Sequence, residues 1–377
     1  MSISNMIGNN IKKLIEENDL SYRKVSEAIG VTHPTLKRYV DGEQPIDSEK
    51  LMSIARYFNK PFEYFFSEGY QDPQFLFRAD NPQEKLSPED IQKFIFSMKS
   101  YSDVFVDSII HYLPQRYLLE VSGKKLNEKE DALIEKIAYE QRRIMNIDKI
   151  IPANYFSVIE QLGINVIVRD FRNDDFFGAS SYSKEYGSFI LVNASERISE
   201  ERQLFSLIHE YGHLLFHSDQ YISIQSTNMY TSYRSETNEM VANRFAGYFL
   251  MPRYLINEYN QSFDSKIDLK EMKHYFKVSL NGLLYSLNNY GLLPKDTYKN
   301  YIKHIKTNHY EKIEPDPLEK IGFEKKNSKL IQKIKELFVD DKISASKISE
   351  VLGIGNLTTR NLLKEWSEVD DRYLRIS

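Results

Sequence analysis

Apolar residues in this chain recur at helical spacing over nearly its whole length. Only between residues 165 and 193 does the period shorten to that of a strand. A chain patterned this way predicts an α+β fold that is mostly helical, with one small sheet. In the first 66 residues the spacing predicts a string of short helices. Their apolar faces are Ile11, Leu14 and Ile15; Val25, Ala28 and Ile29; Leu36, Tyr39 and Val40; and Leu51, Ile54, Ala55 and Phe58. Thr32 before His33-Pro34 offers a capping hydroxyl and a proline at a helix start, and Asp41-Gly42 ends that helix. The runs NVIVRDF (165–171) and SFILVN (188–193) are rich in β-formers, and GASSYS (178–183) is the candidate for a third strand.

Breaks in the pattern divide the chain. Pro73, Pro82 and Pro88 make residues 67–90 loop-like, and helical spacing resumes from Asp90 to about Asn146. Pro315 and Pro317, inside EKIEPDPLEK (311–320), mark the last boundary. The expected organisation is a helical domain at 1–66, a helical linker region at 67–139, a central domain at 140–314 and a helical carboxy-terminal domain at 315–377. One internal repeat stands out. SYRKVSEAIGV (21–31) and SASKISEVLGI (344–354) share Ser, Lys, Ser, Glu and Gly at the same offsets. Both read as the first helix and turn of a helix-turn-helix, where glycine permits the sharp turn, with two unrelated amphipathic helices as the alternative.

Composition narrows the chemistry. The 377 residues are 41% apolar, enough for real cores, and no run approaches the ~18 apolar residues of a membrane span. The opening residues lack the apolar stretch of a signal peptide, so a cytoplasmic location is expected. Cysteine is absent, which excludes disulfides, iron–sulfur clusters, thiol nucleophiles and Cys-ligated zinc. Any metal must be held by His, Asp and Glu. The net charge of −4 makes no general case for nucleic acid. Residues 1–66 carry nine basic and nine acidic side chains, so DNA contact would come from local patches on the end segments.

Residues 207–217 read LIHEYGHLLFH. On a helix, i, i+4 spacing puts His209 and His213 on one face, as two imidazoles converging on zinc require. Glu210, beside the first of them, is then placed to serve as general base toward an attacking water. Ser199 can cap this helix, and Glu200 and Glu201 suit its positive end. His217 lies eight residues beyond His209, a helical rise of about 12 Å, so it reads as a capping or supporting residue rather than a ligand. Asp219, in the following loop, is a weaker ligand candidate. The downstream stretch SETNEMVANRFAGYFLMP (235–252) is helical in pattern and can pack antiparallel to the first. Glu236, Glu239 and Asn243 share one face there, and spacing alone does not choose between the two carboxylates.

HEYGHLLFH followed by Glu239, Ala242, Asn243, Arg244, Phe245 and Ala246, with trailing Leu250-Met251-Pro252, resembles the ImmA/IrrE family of zinc metallopeptidases. The resemblance covers about residues 140–300. It implies a zincin-like domain with a small sheet, Glu239 as the third ligand and Asn243 as a residue supporting the ligands. It also implies that SFILVN is a strand beside the cleft on which an extended substrate could lie. From Ile7 to about Phe65 the chain is similar to the Cro/repressor type of helix-turn-helix. That similarity puts Thr32, His33, Thr35 and Lys37 on base edges and leaves Lys37 and Arg38 for phosphates. Tyr22-Arg23 stands where a glutamine usually fixes the DNA backbone, and a bundle used only for protein contacts is the competing reading. In the carboxy-terminal segment, Lys347, Thr358, Arg360 and Lys364 surround the second turn and Trp366 is expected in its core. A docking domain and a DNA-binding domain are both open there.

These features lead to a zinc endopeptidase with an attached DNA-binding domain. The resemblance implies that it cuts a repressor-type regulator and so controls stress, phage or mobile-element genes. The alternative is a DNA-binding transcriptional regulator whose metal site senses or stabilises, with an operon of toxin–antitoxin type as one setting for it. Zinc is the expected ion, with manganese or another divalent ion tolerated by a His/His/Glu set. Tyr230, Tyr233 and His217 are candidate donors to a developing oxyanion. The expected partners are the protein substrate and duplex DNA, with no membrane; a homodimer is compatible with this reading.

Overall fold

The amphipathic segments of the first 66 residues fold as α1 (Ile3–Glu17), α2 (Tyr22–Ala28), α3 (His33–Val40) and α4 (Ser48–Tyr57), closed by a short 3-10 turn at Phe62–Phe66. The computed structural model describes residues 3–374 apart from 19, 59, 61, 67–75, 80–87, 107, 109, 221, 224–235, 263–267 and 309–312. The chain forms two compact units, Met1–Pro73 and Gln74–Ser377. In the first, Ile7, Ile11, Leu14, Val25, Ile29, Leu36, Leu51 and Ile54 make the core. Ala28, expected on the apolar face, is exposed. Ser26 is buried in its place and donates its hydroxyl to the Arg23 carbonyl at 2.9 Å, so its polar atom is satisfied. Helix α1 crosses α3 at Gly8, where an added Cβ would lie 2.3 Å from the Val40 carbonyl oxygen. Asn10 then ties α1 to the closing turn, donating to the Tyr64 and Phe65 carbonyls at 3.0 and 3.2 Å.

The second unit is built on a five-stranded sheet. Its strands are β1 (Leu76–Ala79), β2 (Asn165–Arg169), β3 (Gly178–Ser183), β4 (Gly187–Asn193) and β5 (Ile222–Ser223), in the order β2-β4-β3-β1-β5. Among the described residues, only β2 and β4 pair in parallel. The helices are α5 (Pro88–Val104), α6 (Glu128–Ile144), α7 (Tyr155–Gln161), α8 (Glu200–Phe216), α9 (Glu236–Leu250), α10 (Arg253–Ser262), α11 (Leu269–Phe276), α12 (Leu280–Asn289), α13 (Lys295–Thr307), α14 (Phe323–Lys326), α15 (Ser328–Val339), α16 (Ala345–Leu352) and α17 (Asn356–Leu374). Two readings of the pattern differ from this. The segment around the early prolines contributes strand β1. The helical stretch after Asp90 is two helices, with residues 110–122 irregular between them. None of the described helices is long and apolar enough to cross a membrane.

Strand alternation sends side chains to two different cores. Val166, Val168, Ile190 and Val192 face Leu204, Leu207, Ile208 and Tyr211 of α8 and Phe245 and Phe249 of α9. Ile167, Ala179, Phe189 and Leu191 face the other way, against Phe94, Met98 and Tyr101 of α5 and Leu330, Ile334, Ile348 and Leu352 of α15 and α16. Trp366 packs into this second core, as expected of the lone tryptophan. The sheet is therefore covered on both faces, and its carboxy-terminal cover belongs to the same compact unit. Edge strand β2 is closed by a side chain. Asn327 accepts from the Val168 N–H and donates to the Val168 carbonyl, both at 3.0 Å, standing in for a neighbouring strand.

The expectation that an extended peptide lies along SFILVN is corrected here. Strand β4 is bonded to β2 on one side and to β3 on the other, so it offers no free edge. All seven of its residues are buried, and the uninterrupted apolar run is that of a central strand.

Candidate metal centre

Helix α8 starts where its sequence says it should. Ser199 caps it by accepting from the Arg202 N–H at 3.3 Å. Glu200 and Glu201 do more than suit the helix dipole, because each is buried against a lysine. The Glu200 carboxylate meets Lys326 at 2.5 Å, and Glu201 meets Lys273 of α11 at 2.6 Å. From Leu207 onward every residue to Phe216 is buried, so this helix is enclosed on all sides. The side chains of His209, Glu210 and His213 therefore sit in the interior, with exposures of 4%, 0% and 0%.

There they converge. The Nε2 atoms of His209 and His213 are 3.0 Å apart, and the Glu239 carboxylate lies 3.4 Å from each of them. A tetrahedral zinc with bonds near 2.05 Å separates its donor atoms by about 3.3 Å. The nitrogens, 3.0 Å apart and each 3.4 Å from a different oxygen of the one carboxylate, lie close to that spacing, so the donor set suits the ion in chemistry and in proximity. Donor atoms of His209, Glu210 and His213 also lie within 4.8 Å of one another. Burial acts to raise the Glu239 pKa, but hydrogen bonds and charge from the two imidazoles outweigh it and hold the carboxyl well below the usual range.

The approach of α9 is what brings Glu239 to the pair. An added Cβ at Gly212 would lie 3.0 Å from Phe245 Cδ1 and 3.4 Å from Ala242 Cα, so α9 packs directly on the bare backbone of Gly212. Helix α9 is held there from behind. Tyr248 donates to Asp131 of α6 at 2.7 Å, Arg244 meets the same carboxylate at 3.0 Å, and the buried Arg142 donates to the Phe249 carbonyl at 2.7 Å. Gly212→Val is accordingly expected to force the helices apart. Overpacking of this kind costs about 1–3 kcal/mol, and the larger effect is expected on bound metal, which should fall although no donor has been changed. Thermal unfolding and metal analysis of the same preparation check this.

The remaining candidates divide by position. Glu236 is exposed, one turn before Glu239. Asn243 is also exposed, and no hydrogen bond among the described residues ties it to the cluster. His217 ends the helix, its N–H bonded to the His213 carbonyl at 2.9 Å, while its Nδ1 lies 3.0 Å from Nδ1 of His213. Asp219 is paired with Arg116 at 2.8 Å. Tyr230 and Tyr233 lie outside the described residues. One residue near the site went unread in the sequence. Ser180, on β3, donates its hydroxyl to Oε2 of Glu210. The run GASSYS marks a strand but carries no sign of which helix it will face.

In the amino-terminal unit, Thr32 caps α3 by accepting from the Thr35 N–H at 3.3 Å, and the two hydroxyls are 2.8 Å apart. His33, Lys37 and Arg38 are exposed along the same helix, and Thr35 is half-buried.

Residues 159–288 match the family model of the IrrE N-terminal-like domain, a peptidase family, and residues 11–65 match that of the helix-turn-helix. The chain joins a helix-turn-helix domain to an IrrE-like peptidase domain. No curated protein matches it. The IrrE-like match runs from α7 into α12, so it contains β2 to β4, α8, α9 and every residue of the His–Glu cluster. The helix-turn-helix match contains α2, α3 and all the residues expected to face DNA.

Proposed function

We propose that this protein is a zinc-dependent endopeptidase acting in transcriptional regulation, with His209, His213 and Glu239 holding the ion. The observation that carries this reading is the convergence of those three donors beside the buried carboxylate of Glu210. Held by these residues, zinc would supply a Lewis acid for the scissile carbonyl and would make water acidic enough to lose a proton near neutral pH. Glu210 takes that proton from the attacking water and passes it to the leaving amine. Ser180 holds Oε2 of Glu210, which fixes the direction in which the other oxygen points. The His217 ring lies against Nδ1 of His213 and so orients the imidazole that faces Glu239. The amino-terminal domain carries the peptidase to duplex DNA, through Thr32, His33, Thr35, Lys37 and Arg38. A repressor-type regulator bound nearby is the substrate this arrangement suits.

Two measurements test the proposal. His209→Ala, His213→Ala and Glu239→Ala should each greatly reduce bound metal, because three protein ligands define a catalytic site. Glu236→Ala should leave metal unchanged, and the reverse result for the two carboxylates would overturn the ligand set. Incubation of the purified protein with regulators encoded beside it, followed by mass spectrometry, should reveal one defined cut. Metal-loaded protein that cuts none of them would overturn the endopeptidase reading.

A further inference from the structure

The internal repeat seen in the sequence extends, at one constant offset of 323 positions, through three helices of the structure. In α1 the buried apolar side chains are Ile7, Ile11, Leu14 and Ile15. Their counterparts in α15 are Leu330 and Ile334, which are buried, and Leu337 and Phe338, which pack against the same core. Ser21 caps α2 by accepting from the Lys24 N–H at 3.2 Å, and Ser344 caps α16 by accepting from Lys347 at the same distance. The turn after each helix carries a left-handed glycine, Gly30 at φ 68° and Gly353 at φ 65°. The turn bonds correspond one for one. Gly30 donates to Glu27 at 3.3 Å and Val31 to Ser26 at 2.9 Å; Gly353 donates to Glu350 and Ile354 to Ser349, each at 3.2 Å. The third helices begin at matching residues, His33 and Asn356. Leu36 and Thr359 match as the residues turned inward, at 0% and 1% exposure.

A shared fold does not by itself give a shared partner, so the reading positions decide. The exposed counterparts of His33, Lys37 and Arg38 are Asn356, Arg360 and Asn361, and Thr35 is matched by the exposed Thr358. Asparagine pairs with the major-groove edge of adenine and arginine with that of guanine, while threonine serves either a base or a phosphate. Lys364 stands one turn beyond Arg360 on the exposed side, where a phosphate would lie. Lys347 is engaged by Asp103 at 2.9 Å and Glu350 at 2.7 Å, so the test is placed on Arg360 and Lys364.

We propose that α15, α16 and α17 form a second duplex-DNA-binding helix-turn-helix, with the first turns of α17 entering the major groove. Unlike the amino-terminal domain, it shares its core with the peptidase sheet, through Phe189 and Leu191. DNA bound there is held by the same compact unit that carries the His–Glu cluster. The inference concerns binding alone and stands whether or not the site cleaves protein.

The test uses the full chain with Lys37→Ala and Arg38→Ala, so that the amino-terminal surface is weakened, and a random-sequence duplex as probe. Binding measured by fluorescence anisotropy at low salt should persist and weaken as salt is added. Adding Arg360→Glu and Lys364→Glu should weaken it at least about tenfold and lower the salt slope by roughly 1, for the phosphate neighbour lost with Lys364. Arg360→Lys keeps the charge but not the paired donors. It should therefore bind the random duplex nearly normally yet lose the sequence preference recovered by selection from a random pool. Circular dichroism confirms that each variant is folded. Absence of low-salt binding once Lys37 and Arg38 are replaced would overturn the proposal. So would binding unchanged by the two glutamates.

Discussion

Glu210→Gln should abolish cleavage while leaving the metal in place. The carboxylate is fully buried and accepts a hydrogen bond from Ser180, so its replacement must preserve both shape and an acceptor. Glutamine does so, and it keeps an oxygen for the serine hydroxyl. What it lacks is basicity, and loss of a general base costs at least about a hundredfold in rate. Metal content and thermal stability should stay close to those of the unaltered protein, since neither His209, His213 nor Glu239 is touched. The combination is diagnostic: cleavage lost, metal retained, fold intact. Cleavage by Glu210→Gln at the normal rate, in a preparation free of other proteases, would show that this carboxylate does not move the proton.

The second large effect is expected far from the reacting atoms. Lys326 reaches the first turn of α8 and meets Glu200 at 2.5 Å and the Gln203 amide oxygen at 2.6 Å, with both charged groups nearly inaccessible to water. Removing one member of such a pair leaves the other charge buried, at a cost of about 3–5 kcal/mol. Lys326→Met should lower stability to urea by that amount. Burial already pushes the Glu200 carboxyl up, with Lys326 acting against it, so loss of the lysine raises the folded-state pKa further. A group whose folded pKa is raised takes stability away as pH climbs above its unfolded value near 4.5. The Lys326→Met protein should therefore regain stability on acidification toward that value. Glu200→Gln combined with Lys326→Met should recover much of the loss at neutral pH. A single variant that unfolds within about 1 kcal/mol of the parent would mean that the pair contributes little.

Both predictions turn on contacts between segments far apart in the chain, and these divide what was legible from what was not. The spacing of His209, Glu210 and His213 is a property of one helix. Local periodicity therefore placed the two imidazoles together before any fold was known. The same holds for the caps at Thr32 and Ser199, where a hydroxyl meets an N–H three residues on. Each of these arrangements closes within a turn of helix, so the order of residues suffices to define it.

The third donor was beyond that reach. Glu236 and Glu239 differ by less than one turn, and nothing in their own helix prefers either. The crossing at Gly212 and Ala242 decides, because only there do α8 and α9 come close enough for a carboxylate to reach both imidazoles. Ser180 was hidden for the same reason, since a strand's own pattern does not say which helix will cover it. SFILVN was read as a cleft strand, although its unbroken apolar run already had the mark of a strand enclosed on every side. Strand β1 is four residues long, too short to establish a period against the prolines around it. The carboxy-terminal helices showed their apolar faces in sequence, yet an amphipathic face records only that it must be covered, not by what. By itself the sequence determined the helices, their caps, the paired histidines and the repeated turn, all of which rest on neighbours a few residues apart. Beyond the family resemblance, which already implied Glu239, tertiary structure decided which carboxylate approaches the histidines, which serine holds Glu210 and which core receives α15 to α17, because packing between distant segments has no local signature.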